Sequence, residues 1–167
     1  MKKTNNAYPV TMLCLLLISL CIGSSSCKKS DTSNAAATES FTFKLDGGAA
    51  ITVDSAKAIM YNYGGGRLID VFAYKGGIEI LEFHFAPTTG VKPAGTVLGT
   101  GSFLTYMASP VQSFDSQSGS LTVTTSDTVG NKLVGDFNFV AKQAPYTGST
   151  IKTITEGHMV VTKLTKQ

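Results

Sequence analysis

The residues best suited to chemistry in this sequence are two carboxylates and an imidazole near its middle. Asp70 lies in the run "RLIDVFAY", and Glu82 and His84 lie in the next run, "IEILEFHF". Three-residue turns at 64–66 and 75–77 would place all three side chains on one face of a sheet. Zinc accepts imidazole nitrogen and carboxylate oxygen, and three protein ligands leave a position open for water. The pattern therefore raises the hypothesis of a metal-dependent hydrolase.

An ordinary solvated sheet face explains the same three residues without a metal. Charged side chains belong on such a face, and a nearby cation can relieve the repulsion between two acids. We favour this interpretation, and the sequence therefore predicts no cofactor and no catalytic residue.

Other enzyme signals are weak. Glu156 and His158 stand two residues apart and could form an acid-base pair, but a glycine between them favours a turn or bulge. The chain has two histidines, and it contains neither a G-x-S-x-G elbow nor an H-E-x-x-H motif. We predict that the protein is not an enzyme.

The elements that must position these residues are short β-like runs separated by glycine. From Phe41 onward, aromatic and β-branched residues alternate with polar ones, and no helical period persists. The sequence predicts a single all-β domain over 41–167, with about nine or ten antiparallel strands in a sandwich or a flattened barrel. The three-residue turns also predict a core row in the three central strands: Ile59, Tyr61, Ile69, Val71, Leu81 and Phe83.

The amino terminus has the order of a secretory signal peptide. A basic start precedes an apolar run of 13 residues, "VTMLCLLLISLCI", and then the small residues 23–26. As a helix, the run would extend about 20 Å, short of the roughly 30 Å core of a bilayer. It suits export better than a permanent span.

The residues "GSSSC" after this run resemble the cleavage site of bacterial lipoprotein precursors of the Bacteroidota type. The resemblance implies a signal peptide at 1–26, acylation of Cys27 and a flexible tether at 27–40. It also implies a protein of the cell envelope, held in the outer membrane by lipid on Cys27. Ordinary cleavage, which would leave Cys27 as a free thiol, is the alternative.

Charge excludes one class of partner. The chain has 14 basic and 11 acidic residues, and removal of Lys2 and Lys3 with the signal peptide leaves 12 basic against 11 acidic. Such a balance gives no basic surface for nucleic acid, so we predict none as a partner.

Several short motifs resemble those of small all-β Bacteroidota lipoproteins. They are "AGTVLGTG", "GDFNFVAK" and "TEGHMVV", and the resemblance implies a fold and a compartment but no activity. The triplets "DSA" and "DTV" resemble acceptors for O-glycans, which makes Ser55 and Thr128 candidate attachment sites. Capping of a turn by the aspartate is the alternative.

Together these features predict a lipid-anchored envelope protein with a non-enzymatic binding or structural role. An envelope protein or a glycan is the expected partner. A lipocalin-like carrier of a small ligand and a metal-dependent hydrolase using Asp70, Glu82 and His84 are the alternatives.

Overall fold

The computed structural model describes residues 38–95 and 101–167. Every regular element in them is a β-strand, which confirms the all-β prediction. The strands are β1 (Ser40–Leu45), β2 (Ala50–Thr52), β3 (Ser55–Tyr63), β4 (Gly66–Lys75), β5 (Ile78–Phe85), β6 (Gly90–Pro93), β7 (Ser102–Ser109), β8 (Gln112–Asp127), β9 (Lys132–Gln143), β10 (Ile151–Val161) and β11 (Leu164–Lys166). Within these ranges, no helix is long and apolar enough to cross a membrane.

The strands form one sheet that curls into a half-barrel. Ten strands follow one another in the order β11-β3-β4-β5-β7-β8-β9-β10-β1-β2, and β6 pairs with β8 beside this path. All pairs of strands are antiparallel except β11 and β3, which run parallel. The barrel form of the prediction is therefore the better description, with one parallel pair at the edge.

Aromatic rings fill the concave side of the sheet. The ring of Phe137 on β9 lies 4.9 Å from that of Phe83 on β5 and 5.5 Å from that of Phe41 on β1, measured between centroids. These three strands are not neighbours in the sheet. Their rings meet only because the sheet curls, so apolar burial and curvature support each other.

Two-residue alternation identified the core strands correctly. One side chain in each predicted pair, and usually both, is buried, while the residues between them are half-buried or exposed. The spacing of apolar residues predicts these sets: Phe41/Phe43, which the half-buried Leu45 continues, Ile51/Val53, Leu121/Val123, Phe137/Phe139 and Met159/Val161.

The predicted register of β3 is wrong. The turn before β4 has two residues, Gly64 and Gly65, and their φ angles of 56° and 87° suit a tight hairpin. Met60 consequently faces Ile69, and both are buried. A shift of one residue exchanges the faces of a strand, so Ile59 and Tyr61, predicted in the core, lie on the outer face.

The predicted faces of β4 and β5 are correct. Ile69, Val71, Leu81 and Phe83 are fully buried. The turn here also has two residues, but a bulge after Ala73 shifts the pairing further. The total shift is even, so each side chain keeps its predicted face.

Two residues just before Phe41 take part in the described structure. Strand β1 begins at Ser40, and the carboxylate of Glu39 accepts a hydrogen bond of 2.8 Å from the backbone N–H of Ala56. The rest of the predicted tether up to residue 37, with Cys27, and the signal peptide lie outside the described residues.

Candidate functional site

The three residues predicted to share a sheet face do lie together on the outer face of β4 and β5. His84 stands opposite Asp70, with its Nδ1 2.6 Å from Asp70 Oδ1. Its Nε2 lies 3.2 Å from Glu82 Oε1. The predicted three-residue turn at 75–77 would align Asp70 with Glu82, whereas the structure pairs Asp70 with His84.

The three side chains of this cluster form an ion-pair network. Both ring nitrogens of His84 face carboxylates, which leaves neither directed at a common ligand position. In 38–95 and 101–167, no group of three metal-ligating side chains has the arrangement of a metal site. A hydrogen bond to Glu82 raises the pKa of His84, and burial lowers it. A hydrogen bond to Asp70 raises this pKa further. The raised pKa favours the imidazolium form, which places a positive charge between the two acids.

The network should make stability depend on pH. Because folding raises the pKa of His84 above its ordinary 6.5, the stabilisation is present below the unfolded pKa and is lost as pH rises through the folded pKa. As pH rises above the ordinary pKa of 6.5, the free energy of unfolding should therefore fall more steeply in the wild type than in His84→Gln. Urea titrations at several pH values measure both slopes.

The half-buried His158 on β10 provides a control for this prediction. His158→Gln leaves the His84 network intact and should keep the part of the slope that His84 causes. Equal slopes in the wild type and His84→Gln would show that the network is not coupled to folding.

A second site lies where the strands reach one rim of the half-barrel. It is a cleft of about 370 Å³ that we call the rim cleft, lined by Met60, Tyr61, Asn62, Arg67, Thr128, Val129, Lys166 and Gln167. The β3–β4 hairpin and β11 form one side, and the β8–β9 turn forms the other. The mouths of β-barrels are common places for ligands.

The polar residues of the rim cleft continue the rows of buried core residues. Asn62 follows Met60 on the inward face of β3, and its partner on β4 is Arg67. Lys166 follows the buried Leu164 and pairs with Met60. Side chains two residues apart share a face, so these polar groups stand directly above the apolar core.

The rim cleft is lined by two cationic side chains and no acidic side chain. Among the described residues, neither Arg67 nor Lys166 has a carboxylate within 4.0 Å. Burial and a hydrogen bond to Asp70 raise the pKa of Tyr61 to about 12, so its hydroxyl adds no negative charge.

Sequence reasoning missed this site. The predicted core position of Tyr61 puts its neighbour Asn62 on the outer face. Arg67 and Lys166 come from separate elements and match no motif. No local signal could have found the site, because the register of β3 decides whether Asn62 points inward.

The aspartates of both candidate glycan sites cap turns: Asp54 caps the β4–β5 turn, and Asp127 caps its own turn. Asp54 Oδ2 accepts a hydrogen bond of 2.6 Å from Gly76 N–H. Asp127 Oδ1 accepts one of 2.7 Å from Gly130 N–H. Ser55 is exposed and Thr128 is half-buried in the rim cleft. Capping accounts for both aspartates, and glycan attachment stays a prediction.

The structure does not join Glu156 and His158 as an acid-base pair. His158 Nδ1 lies 2.7 Å from Asp136 Oδ1, and Glu156 pairs with Lys44 at 2.8 Å. A bulge separates the two residues, as the glycine between them indicated. Each forms its own surface ion pair, which contributes little to stability.

No family model, curated protein or solved structure matches this chain. The resemblance to lipoproteins therefore stays a prediction from short motifs. The function of this domain must therefore be inferred from the side chains of its two candidate sites.

Proposed function

We propose that this protein is a non-enzymatic binding protein of the bacterial cell envelope. Lipid on Cys27 holds it in the outer membrane, and the rim cleft receives its ligand. The observation that carries the proposal is a concave polar site built directly on a packed core. Strand ends hold such a site more rigidly than long loops do.

The two alternative functions fit the described geometry less well. A carrier needs an interior cavity, whereas the concave side of this sheet is packed with Phe41, Phe83 and Phe137. A metal-dependent hydrolase needs ligands that converge, whereas His84 directs its two nitrogens at Asp70 and Glu82. Both observations favour a binding role.

The anchor is tested by labelling cells with radioactive palmitate. The wild type should take up label and sediment with membranes, whereas Cys27→Ala should take up none and leave the membrane fraction. Two acyl chains hold a protein stably on a bilayer, but a single chain does not. Cys21→Ala is the matched control, because it removes a cysteine predicted to leave with the signal peptide, and it should be labelled like the wild type. Labelling of Cys27→Ala would refute the anchor.

A further inference from the structure

The rim cleft presents two kinds of polar group to a ligand. Arg67 and Lys166 supply positive charge, and Asn62 and Thr128 supply an uncharged amide and hydroxyl. A ligand that satisfies all four must carry an anionic group and several groups that both donate and accept hydrogen bonds.

We propose that the rim cleft binds an anionic saccharide. Its carboxylate or phosphate lies between Arg67 and Lys166, and its hydroxyls meet Asn62 and Thr128. This inference rests on the proposed function, since it assigns a ligand class to the same cleft.

The cations favour an anion for physical reasons. The guanidinium of Arg67 offers a planar set of donors that matches the two oxygens of a carboxylate or phosphate. Lys166 on β11 adds a compact charge from the other side of β3, because β11 and β4 flank β3. The neighbouring Asp127 directs its Oδ1 at the backbone of its own turn.

The neutral groups favour a saccharide over a bare anion. Inorganic phosphate would engage the cations but leave the amide of Asn62 and the hydroxyl of Thr128 unused. The volume of about 370 Å³ lies at the lower end of the roughly 300–1,000 Å³ typical of small-molecule sites. It suits a short saccharide.

Calorimetry on the mature lipidated chain in detergent tests this inference. The probes are trigalacturonate, glucose 6-phosphate, neutral maltotriose and inorganic phosphate. A charged saccharide should bind at least about tenfold more tightly than maltotriose and inorganic phosphate. Added salt should weaken its binding, because the cleft is open to solvent.

Variants identify the residues responsible. Arg67→Gln and Lys166→Gln should each weaken binding of the charged saccharide by about tenfold. Lys142→Gln, on β9 outside the cleft, is the matched control and should bind like the wild type. All three side chains lie at the surface or are only half-buried, and thermal unfolding verifies that the variants fold.

Two results would overturn the ligand class but keep the cleft as the site. One is maltotriose binding as tightly as the charged saccharides and weakened by Asn62→Ala but not by Arg67→Gln. The other is inorganic phosphate binding as tightly as glucose 6-phosphate. Saccharide binding that survives all the cleft variants would overturn the proposed function as well, and the absence of saccharide binding would overturn this inference.

Discussion

Replacing Phe137 by alanine should lower the free energy of unfolding by about 3–5 kcal/mol. Its ring is the centre of the aromatic core, 4.9 Å from Phe83, 5.5 Å from Phe41, and 6.5 Å from both Phe43 and Phe139. Alanine would remove these contacts and leave a cavity. Total stabilities are about 5–15 kcal/mol, so the variant should be close to unfolding.

Urea unfolding of the wild type and variant measures this loss. Phe72→Ala is the control, because Phe72 is half-buried on the outer face, where Lys57 lies over its ring. This control should lose less than half as much stability. Equal losses would show that the concave aromatic cluster is not the main source of stability.

Replacing Gly157 by alanine should cost about 2 kcal/mol or more, because overpacking a filled core is also destabilising. Gly157 lies opposite Phe137 on the neighbouring strand. A Cβ atom at this position would overlap the ring of Phe137. Gly66→Ala is the control, because its Cβ would meet only the carbonyl oxygen of Tyr63, at 3.7 Å. Gly66→Ala should lower the free energy of unfolding only slightly.

The two substitutions should not be additive. Once Phe137→Ala has removed the ring, Gly157→Ala has nothing to overlap and should cost far less than in the wild type. Residues in contact show coupling energies of about 0.5–3 kcal/mol in double-mutant cycles. Independent effects would mean that the ring does not constrain Gly157.

The sequence was sufficient to predict the strands and most of the core. Pairs such as Phe137/Phe139 and Leu121/Val123 alternate with polar residues, and burial of one face follows from that alternation. The grouping of Asp70, Glu82 and His84 was also predictable. The register predicted between β4 and β5 differs from the observed one by two residues. Such a shift changes which residues stand opposite each other but keeps every side chain on its predicted face.

The sequence could not reveal the register of β3 or the rim cleft. Three consecutive glycines permit a hairpin turn of two or three residues, and this choice decides whether Met60 or Tyr61 points inward. The length of this turn also decides whether Asn62 points into the rim cleft. The rim cleft also requires Lys166 beside β3, a parallel pairing across about a hundred residues that no local pattern encodes.

Nuclear magnetic resonance of the isotope-labelled domain with added trigalacturonate tests the central claim most directly, because it locates the ligand. We expect backbone shifts concentrated at 60–62, at Arg67, at 128–129 and at 166–167, with the region around His158 unchanged. Shifts confined to the surroundings of His84 or to β6, with a silent rim cleft, would contradict the account.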